Sequence, residues 1–198
     1  MMVNGPRSAS RSVLPTLGVG LGYRAELHDL IVAHESHIDF LEVITEQFIR
    51  RGPEPGKLAL ELHRQFPIIP HGVDLSIGTA AGTDEAYVSD VCDFVDSVKA
   101  PWFSDHLAFT RVPGANIGQL TQLWFTEESL EAVSRNVRRL KLRTSTPFLL
   151  ENITYYFKLS QAEMTEAEFI SRVLHDTDCG MLLDVNNIHI NSVNLKFD

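Results

Sequence analysis

The chain of 198 residues has little cysteine, few basic residues and no long apolar run. Its two cysteines, Cys92 and Cys179, lie far apart and outside any CxxC motif, which excludes a disulfide framework. We expect buried free thiols in a reducing compartment, the cytoplasm. Only 17 lysines and arginines stand against 26 aspartates and glutamates, and the net charge is −9. This balance argues against nucleic-acid and anionic-membrane partners, which require clustered basic residues. The apolar runs are far shorter than the ~20 residues that span a bilayer.

Two catalytic motifs are also missing. The glycines Gly18, Gly20 and Gly22 alternate along LGVGLGYR and do not form the GxGxxG loop of a dinucleotide-binding fold. No GxSxG elbow is present, and the run Ser-Asp-His at 104–106 is not a triad, because adjacent strand residues point to opposite faces. The sequence therefore argues against a dinucleotide-binding enzyme and a serine hydrolase.

The chain divides into a tail and a regular alternation of elements. Residues 1–16 are rich in Ser and Arg without an apolar core, so we expect a disordered tail rather than a secretory signal. From residue 17 onward, apolar segments predict strands at 17–21, 38–44, 66–71, 102–107, 147–152 and 180–185. Helical periodicity predicts helices at 24–35, 83–98 and 126–143, and a capping box at 165–168 predicts another. The polar, glycine-containing segment 109–125 is predicted to be a long loop that covers the site or docks a substrate.

Repeated strand–helix–strand units predict an α/β fold with a parallel sheet. A doubly wound sheet and a TIM-type (β/α)8 barrel both fit this pattern. Polar residues follow nearly every predicted strand, which favours the barrel, whose active sites draw on many strand ends. A barrel typically has eight strands and ~250 residues, whereas about six strands are predicted here. We therefore expect 17–198 to form the N-terminal three-quarters of a barrel, an incomplete one.

The polar residues at the predicted strand ends form the candidate site. In chain order they are Glu42, Glu46, His71, Asp74, Asp105, His106, Glu151, Asn152, Asp184, Asn186, Asn187 and His189. A single histidine or carboxylate at such a position is commonly a hydrogen-bonding or helix-capping residue. Several carboxylates buried at one end of a barrel are costly without a cation to neutralise them. The recurrence therefore predicts a metal site with mixed nitrogen and oxygen ligands, suited to Fe, Mn or Zn, and the lack of nearby cysteine argues against structural zinc.

Eight segments, in order, carry a family resemblance: LGVGLGYR, FLEVITEQF, HGVDLSIG, SDHLAF, FTEESL, LLENITYY, MTEAEFI and CGMLLDVNNIHINSVN. Together they resemble the multinuclear non-haem iron-dependent oxidative enzymes, a family long described as uncharacterised that includes the methanobactin-biosynthesis oxidase. The resemblance runs from about Leu17 to the C-terminus. The motifs HGVxLSxG, SDH, LLEN and LLDVNN in succession are far more specific than any one alone.

The resemblance implies a TIM barrel with two or three iron ions. Such an enzyme uses dioxygen to modify cysteine or other residues of a ribosomally made precursor peptide, often presented by a separate partner protein. The positions that fall on the family's metal-ligand motifs are His71, His106, Glu151 and Asp184. Possible additional ligands or supporting residues are Glu42, Glu46, Asp105, Asn187 and His189.

This sequence also departs from the family pattern. His189 stands where relatives tend to have Tyr, and Leu195 stands where many have His. The family continues through two more strands that bring further His, Asp and Glu ligands. We therefore expect the chain to be truncated at its C-terminus, to carry about half of the ligand set and to be inactive alone.

Two other hypotheses remain open from the sequence. A barrel of the same type can hold Zn or Mn for hydrolysis or isomerisation, although the acidic balance disfavours a DNA substrate and no Lys stands at a strand end for a sugar isomerase. Alternatively, a six-stranded remnant exposes the edges of its first and last strands. Such a chain would serve as a non-catalytic interaction fragment.

Overall fold

The computed structural model describes residues 14–197, so the predicted tail lies almost wholly outside the described part of the chain. Six strands form one parallel sheet, in which they lie side by side in the order of the chain. Their bounds are β1 (Gly20–Gly22), β2 (Phe40–Ile44), β3 (Ile68–His71), β4 (Phe103–His106), β7 (Phe148–Glu151) and β8 (Gly180–Leu182). Each of the six predicted strands overlaps one of these. The predicted α/β fold with part of a barrel is confirmed.

Six α-helices are present in residues 14–197, of which five lie between strands and the sixth follows the last strand. They are α1 (His28–Ala33), α2 (Pro53–His63), α3 (Glu85–Ser97), α4 (Glu127–Lys141), α5 (Glu166–Thr177) and α6 (Val185–Leu195). In three of them a side chain caps the first turn: Asp84 accepts from Tyr87 N, Thr126 from Ser129 N and Thr165 from Glu168 N. The apolar faces of α3 and α4 then pack on the central strands to form the main core.

One predicted loop is a hairpin. Instead of an irregular segment over 109–125, β5 (Phe109–Val112) and β6 (Ala115–Thr121) pair antiparallel apart from the main sheet. The turn between them contains Pro113 and Gly114, and Gly114 takes a φ of +81°, which glycine adopts without strain. The prediction was wrong because almost every side chain of β6 is exposed, so the strand has no buried alternation to reveal it.

Two helices were not predicted from the sequence. The segment of α2 contains Pro53, Pro55 and Gly56, residue types that usually interrupt helices. A proline in the first turn is tolerated, because the backbone N–H of that position has no partner within the helix. The predicted strand at 180–185 stops at Leu182, because the Asp184 side chain accepts from Asn187 N and starts α6. The predicted helix at 24–35 is divided into a 3-10 turn at Ala25–Leu27 and the short α1.

The sheet is open at both ends. Within residues 14–197, β1 and β8 are the edge strands and do not pair with each other. Apolar side chains are exposed on both edges: Val19 and Leu30 near β1, and Val185 and Val193 near β8 are 76, 59, 68 and 64% exposed. The structure is therefore an unclosed barrel wall, with its best-buried strands in the middle.

Membrane-crossing helices were sought over the same residues. None of the described helices is both long enough and apolar enough to traverse a bilayer.

Candidate metal centre

Three side chains converge at the carboxyl ends of the central strands. His71 ends β3, His106 ends β4 and Glu151 ends β7. The Glu151 Oε2 atom lies 3.2 Å from His71 Nε2 and 3.3 Å from His106 Nε2. One ligand atom from each of the three residues lies within 4.8 Å of the others. Ligand atoms that bind one ion at about 2 Å each are separated by distances of this order.

The register of the sheet brings these side chains to one face. His106 pairs laterally with Glu151, and His71 pairs with Ser104. Side chains two residues apart share a face of a strand, so Ser104 and His106 point the same way. Both histidines and the glutamate therefore project from the same side of three adjacent strands.

Hydrogen bonds at Nδ1 fix the orientation of both imidazole rings. His71 Nδ1 shares a 2.9 Å hydrogen bond with the Ser104 hydroxyl, and His106 Nδ1 donates to Gly72 O at 3.1 Å. Each ring thereby turns its Nε2 toward Glu151, and the ring centroids lie 4.6 Å apart. Such a partner on the second nitrogen is the usual device that orients a metal-binding histidine.

Gly72 and Asp105 connect the segments that carry the two histidines. Asp105 is 4% exposed and accepts from Leu75 N at 3.1 Å and from His106 N at 2.6 Å. A Cβ atom on residue 72 would lie 2.3 Å from Asp105 Oδ2, so glycine is required for this approach. The Asp105 carboxylate thus joins the segment after His71 to the end of β4.

Burial shifts the protonation of the three converging groups. Burial, with the neighbouring His106, lowers the pKa of His71 to about 4, so its imidazole is neutral at pH 7. Burial also lowers the pKa of His106, but the Asp105 and Glu151 carboxylates outweigh that effect and raise it. Burial raises the pKa of Glu151 to about 7, aided by the charges of Asp184 and Glu42.

The donor set fits a divalent cation. Glu151 Oε2 is buried and accepts no hydrogen bond, although two imidazole nitrogens lie within 3.3 Å of it. A buried carboxylate oxygen without a partner is costly, and a cation at this point would satisfy it. Two imidazoles that bind through a neutral ring nitrogen, together with one carboxylate, form a ligand set that suits Fe, Mn or Zn.

Asp184 and Glu42 lie beside this group but outside the three-residue cluster. The Asp184 side chain accepts from Asn187 N at 2.9 Å, so one of its oxygens caps α6. Its negative charge nevertheless raises the pKa of both Glu151 and Glu42. Burial is the largest cause of the raised pKa of Glu42, and Arg24 and His106 oppose it. Both carboxylates are therefore electrostatic neighbours of the cluster.

The other predicted residues have different surroundings. Glu46 Oε1 accepts from Val73 N at 2.8 Å and from the Tyr87 hydroxyl, which holds the segment after β3 to α3. Asn187 Oδ1 accepts a hydrogen bond from the Thr154 hydroxyl, and Asn187 Nδ2 donates one to Asn152 O. His189 is exposed on α6. Among the described residues, these three are not part of the converging group.

Two contributors were missed by the sequence argument. Ser104 was considered only as a rejected nucleophile, and Gly72 was not considered at all. The spacing of Ser104 two residues before His106 was the available signal, because it places both side chains on one face. Its contact with His71 depends on the register between β3 and β4, which no short motif reveals.

Solved structures with a similar fold include two sugar epimerases. An L-ribulose 3-epimerase has a TM-score of 0.58 and 13% identity, covering 87% of this chain and 62% of that protein. The D-psicose 3-epimerase of Clostridium cellulolyticum H10, solved with D-tagatose, has a TM-score of 0.55 and 14% identity, covering 85% and 61%. At such low identity the likeness shows the fold alone, that of a TIM barrel.

Sequence relatives are more informative. A UPF0276 protein of Anaeromyxobacter sp. (strain Fw109-5) is 36% identical over 182 residues, covering 92% of this chain and 64% of the relative. One from Shewanella oneidensis is 37% identical over 181 residues, covering 91% and 64%. The chain thus spans slightly less than two thirds of these relatives. The family model described as "RiPP precursor modification enzyme MbnB/TglH/ChrH", for ribosomally synthesised and post-translationally modified peptides, matches residues 18–198. The predicted family is confirmed, and the chain belongs to the MbnB/TglH/ChrH family of precursor modification enzymes.

Proposed function

We propose that this chain carries the central metal ligands of an enzyme that uses iron and dioxygen to modify cysteine or other residues of a ribosomally made precursor peptide. The observation that carries the proposal is the convergence of two imidazole Nε2 atoms on one oxygen of Glu151. Membership of the family supports a peptide substrate. Two histidines and one carboxylate are also the ligand set of many non-haem Fe(II) oxygenases.

The chain's own residues prepare this site for a cation. His71 is neutral at pH 7 because burial lowers its pKa, so it can bind through Nε2 without first losing a proton. Glu151 gives up its proton near pH 7 when a cation replaces it. Ser104 and Gly72 O hold the two rings, which limits the reorganisation that binding requires. A bound iron would supply open positions for a substrate thiolate and dioxygen.

We extend the proposal to Asp184 as a fourth ligand and to Glu42 as an additional one. Both carboxylates influence Glu151 electrostatically, and their mutual repulsion in the absence of a cation favours binding of a second ion. Together with Glu151 they would provide the oxygen-rich side of a site for two or three ions. Asp105, Glu46, Asn187 and His189 remain predictions as further ligands or supporting residues.

The proposed partners and compartment are those that the family implies. The partners are a precursor peptide and a separate protein that presents it, acting in the cytoplasm. The low basic content supports the absence of a nucleic-acid partner.

One observation also supports a second candidate. Two histidines and a glutamate form the ligand set of several catalytic zinc sites, so the same cluster fits a Zn- or Mn-dependent hydrolase or isomerase. In that case the bound ion activates water rather than dioxygen. Turnover of the peptide substrate would then be independent of oxygen.

The test is metal analysis of protein purified without oxygen and reconstituted with Fe(II), Zn(II) or Mn(II). We expect at least one iron per chain in the wild type, and loss of that iron in His71→Ala. The matched control is His175→Ala, because the His175 side chain is 87% exposed on α5 and lies outside the cluster. Iron below about a tenth of the chains, with no change in His71→Ala, would overturn the metal site. Binding of zinc only would favour the second candidate.

A further inference from the structure

Three asparagines on one face of α6 hold the irregular segment that follows β7. They stand at Asn187, Asn191 and Asn194, a spacing of four and three residues that places them on one side of a helix. Asn191 is 1% exposed, which is unusual for an uncharged polar side chain unless its hydrogen bonds are satisfied. We call this set the asparagine ladder.

The ladder replaces a neighbouring strand as the hydrogen-bond partner of segment 152–155. Asn187 Nδ2 donates to Asn152 O at 2.9 Å, and Asn191 Nδ2 donates to Ile153 O at 2.9 Å. Asn191 Oδ1 also accepts from Tyr155 N at 3.0 Å. The backbone directly after Glu151 is thereby fixed to α6 by side-chain amides rather than by the sheet.

Asn152 makes a second, two-way connection. Its Nδ2 donates to Asp184 O, and its Oδ1 accepts from Asp184 N, both at 2.9 Å. The amide thus imitates the donor and acceptor of a paired strand residue, beyond the last regular pair between Glu151 and Leu182. Asn152 is 3% exposed, so water does not compete for these bonds.

This connection joins Asp184 to the end of the strand that carries Glu151. Glu151 immediately precedes Asn152, and the Asn152 side chain forms both of its hydrogen bonds with the backbone of Asp184. The strand that precedes Asp184, β8, is only three residues long, has no buried side chain and pairs on one side only. The regular pairing of β8 ends at Leu182, so the strand itself does not hold Asp184. Two neighbouring carboxylates also repel each other before a cation binds.

We propose that Asn152, backed by the asparagine ladder, is a positioning residue that holds the carboxylates of Glu151 and Asp184 at the separation that metal binding requires. The proposal rests on the proposed function and adds a specific device to it. A purely structural asparagine would change stability when removed, whereas a positioning residue also changes the affinity and the coordination of the ion.

The control for this distinction is Asn136 in α4. It is fully buried and donates two hydrogen bonds of 2.8 Å, to Ile77 O and Thr79 O, which matches the chemistry of Asn152 at a place outside the cluster. Asn136→Ala and Asn152→Ala should therefore both lower the melting temperature. Only Asn152→Ala should change the metal site.

The experiment measures Co(II) affinity and the visible Co(II) absorption spectrum of the wild type and both variants. We expect Asn152→Ala to weaken Co(II) binding by about tenfold or more and to alter the spectrum, and Asn136→Ala to leave both within about twofold of the wild type. Unchanged affinity and spectrum in Asn152→Ala would overturn the positioning role while the proposed function stands. A wild type that gives no Co(II) spectrum would overturn the proposed function and this inference with it.

A second variant covers the case in which Asn152→Ala does not fold. Asn191→Ala removes the ladder's hydrogen bonds with Ile153 O and Tyr155 N but keeps the Asn152 amide on Asp184. Asn191 is not one of the predicted ligands, so a change in affinity reports on the ladder. We expect a smaller loss, about threefold in Co(II) affinity. Wild-type affinity in a folded Asn191→Ala protein would contradict the role of the ladder.

Discussion

The centre of the sheet and its edges differ in burial and in what they position. Every residue of β3 and β7 is buried, and each strand pairs on both sides. The edge strands β1 and β8 are three residues long, contain no buried residue and pair on one side only. The three converging side chains all come from central strands, whereas Asp184 follows the edge strand β8. Precise placement of polar groups therefore coincides with two-sided pairing, and the edge relies on side-chain amides instead.

The largest effect should come from the core beneath the central strands. Phe103 in β4 is 1% exposed and packs on Phe148 with a centroid separation of 5.1 Å. We expect Phe103→Ala to lower the free energy of unfolding by about 3–5 kcal/mol. At the edge, Val185→Ser should change it by less than about 0.5 kcal/mol, because this side chain is 68% exposed. Urea unfolding of both variants checks the contrast, and equal losses would contradict it.

Glu151→Gln should separate stability from metal binding. The pKa of Glu151 is raised from 4.5 to about 7, so the folded chain holds a proton that the unfolded chain loses between these pH values. The free energy of unfolding of the metal-free protein therefore falls as pH rises from 4.5 to 7, and the full cost remains above pH 7. We expect Glu151→Gln to be more stable than the wild type by up to about 3 kcal/mol at pH 8, with no gain at pH 4.

The same variant should also lose its metal. Amide oxygen is a weaker ligand than carboxylate, so Fe(II) or Co(II) affinity should fall by about a hundredfold or more. Chemical unfolding at pH 4 and 8, with and without Co(II), measures both effects. A variant less stable than the wild type at pH 8 would contradict the account of Glu151.

Ser104→Ala tests whether the Ser104 hydroxyl positions His71. Loss of the 2.9 Å hydrogen bond frees the His71 ring to rotate, and we expect about a tenfold loss of Co(II) affinity. The control is Ser192→Ala on α6, whose hydroxyl donates to the backbone of His189 on the exposed edge. Calorimetric titration of both variants compares them. Equal affinity in the two would show that the Ser104 hydrogen bond does not position the ligand.

The smallest effect concerns local opening at the two edges. Amides of β3, β4 and β7 should exchange hydrogen at the rate of global unfolding, because their strands pair on both sides. Amides of β1 and β8 should exchange faster, since edge strands open without unfolding the centre. Hydrogen exchange read by mass spectrometry measures this order. Uniform protection across all six strands would contradict the difference between centre and edge.

The sequence predicted the central strands and the polar residues that end them for a physical reason. Short apolar runs mark buried parallel strands, and the polar residue that ends each run must lie at the common edge of the sheet. That logic correctly brings together His71, His106 and Glu151. It does not distinguish a ligand from a helix cap, and so the capping role of Asp184 and the start of α6 were missed.

Other features depend on relations that a linear pattern does not contain. The contact of Ser104 with His71, two residues 33 positions apart in the chain, follows from the register between β3 and β4. The two hydrogen bonds between the Asn152 side chain and the Asp184 backbone require the end of β8 to lie beside the end of β7. Nearly every side chain of β6 in the hairpin is exposed, so the sequence lacks the alternation of apolar and polar residues that predicts a strand.

X-ray absorption spectroscopy of the iron-loaded protein, prepared without oxygen, tests the central claim most directly. We expect iron bound by imidazole nitrogen and carboxylate oxygen, with the imidazole scattering reduced in His71→Ala and in His106→Ala. Iron surrounded by water oxygens alone, with a spectrum that neither substitution changes, would contradict it.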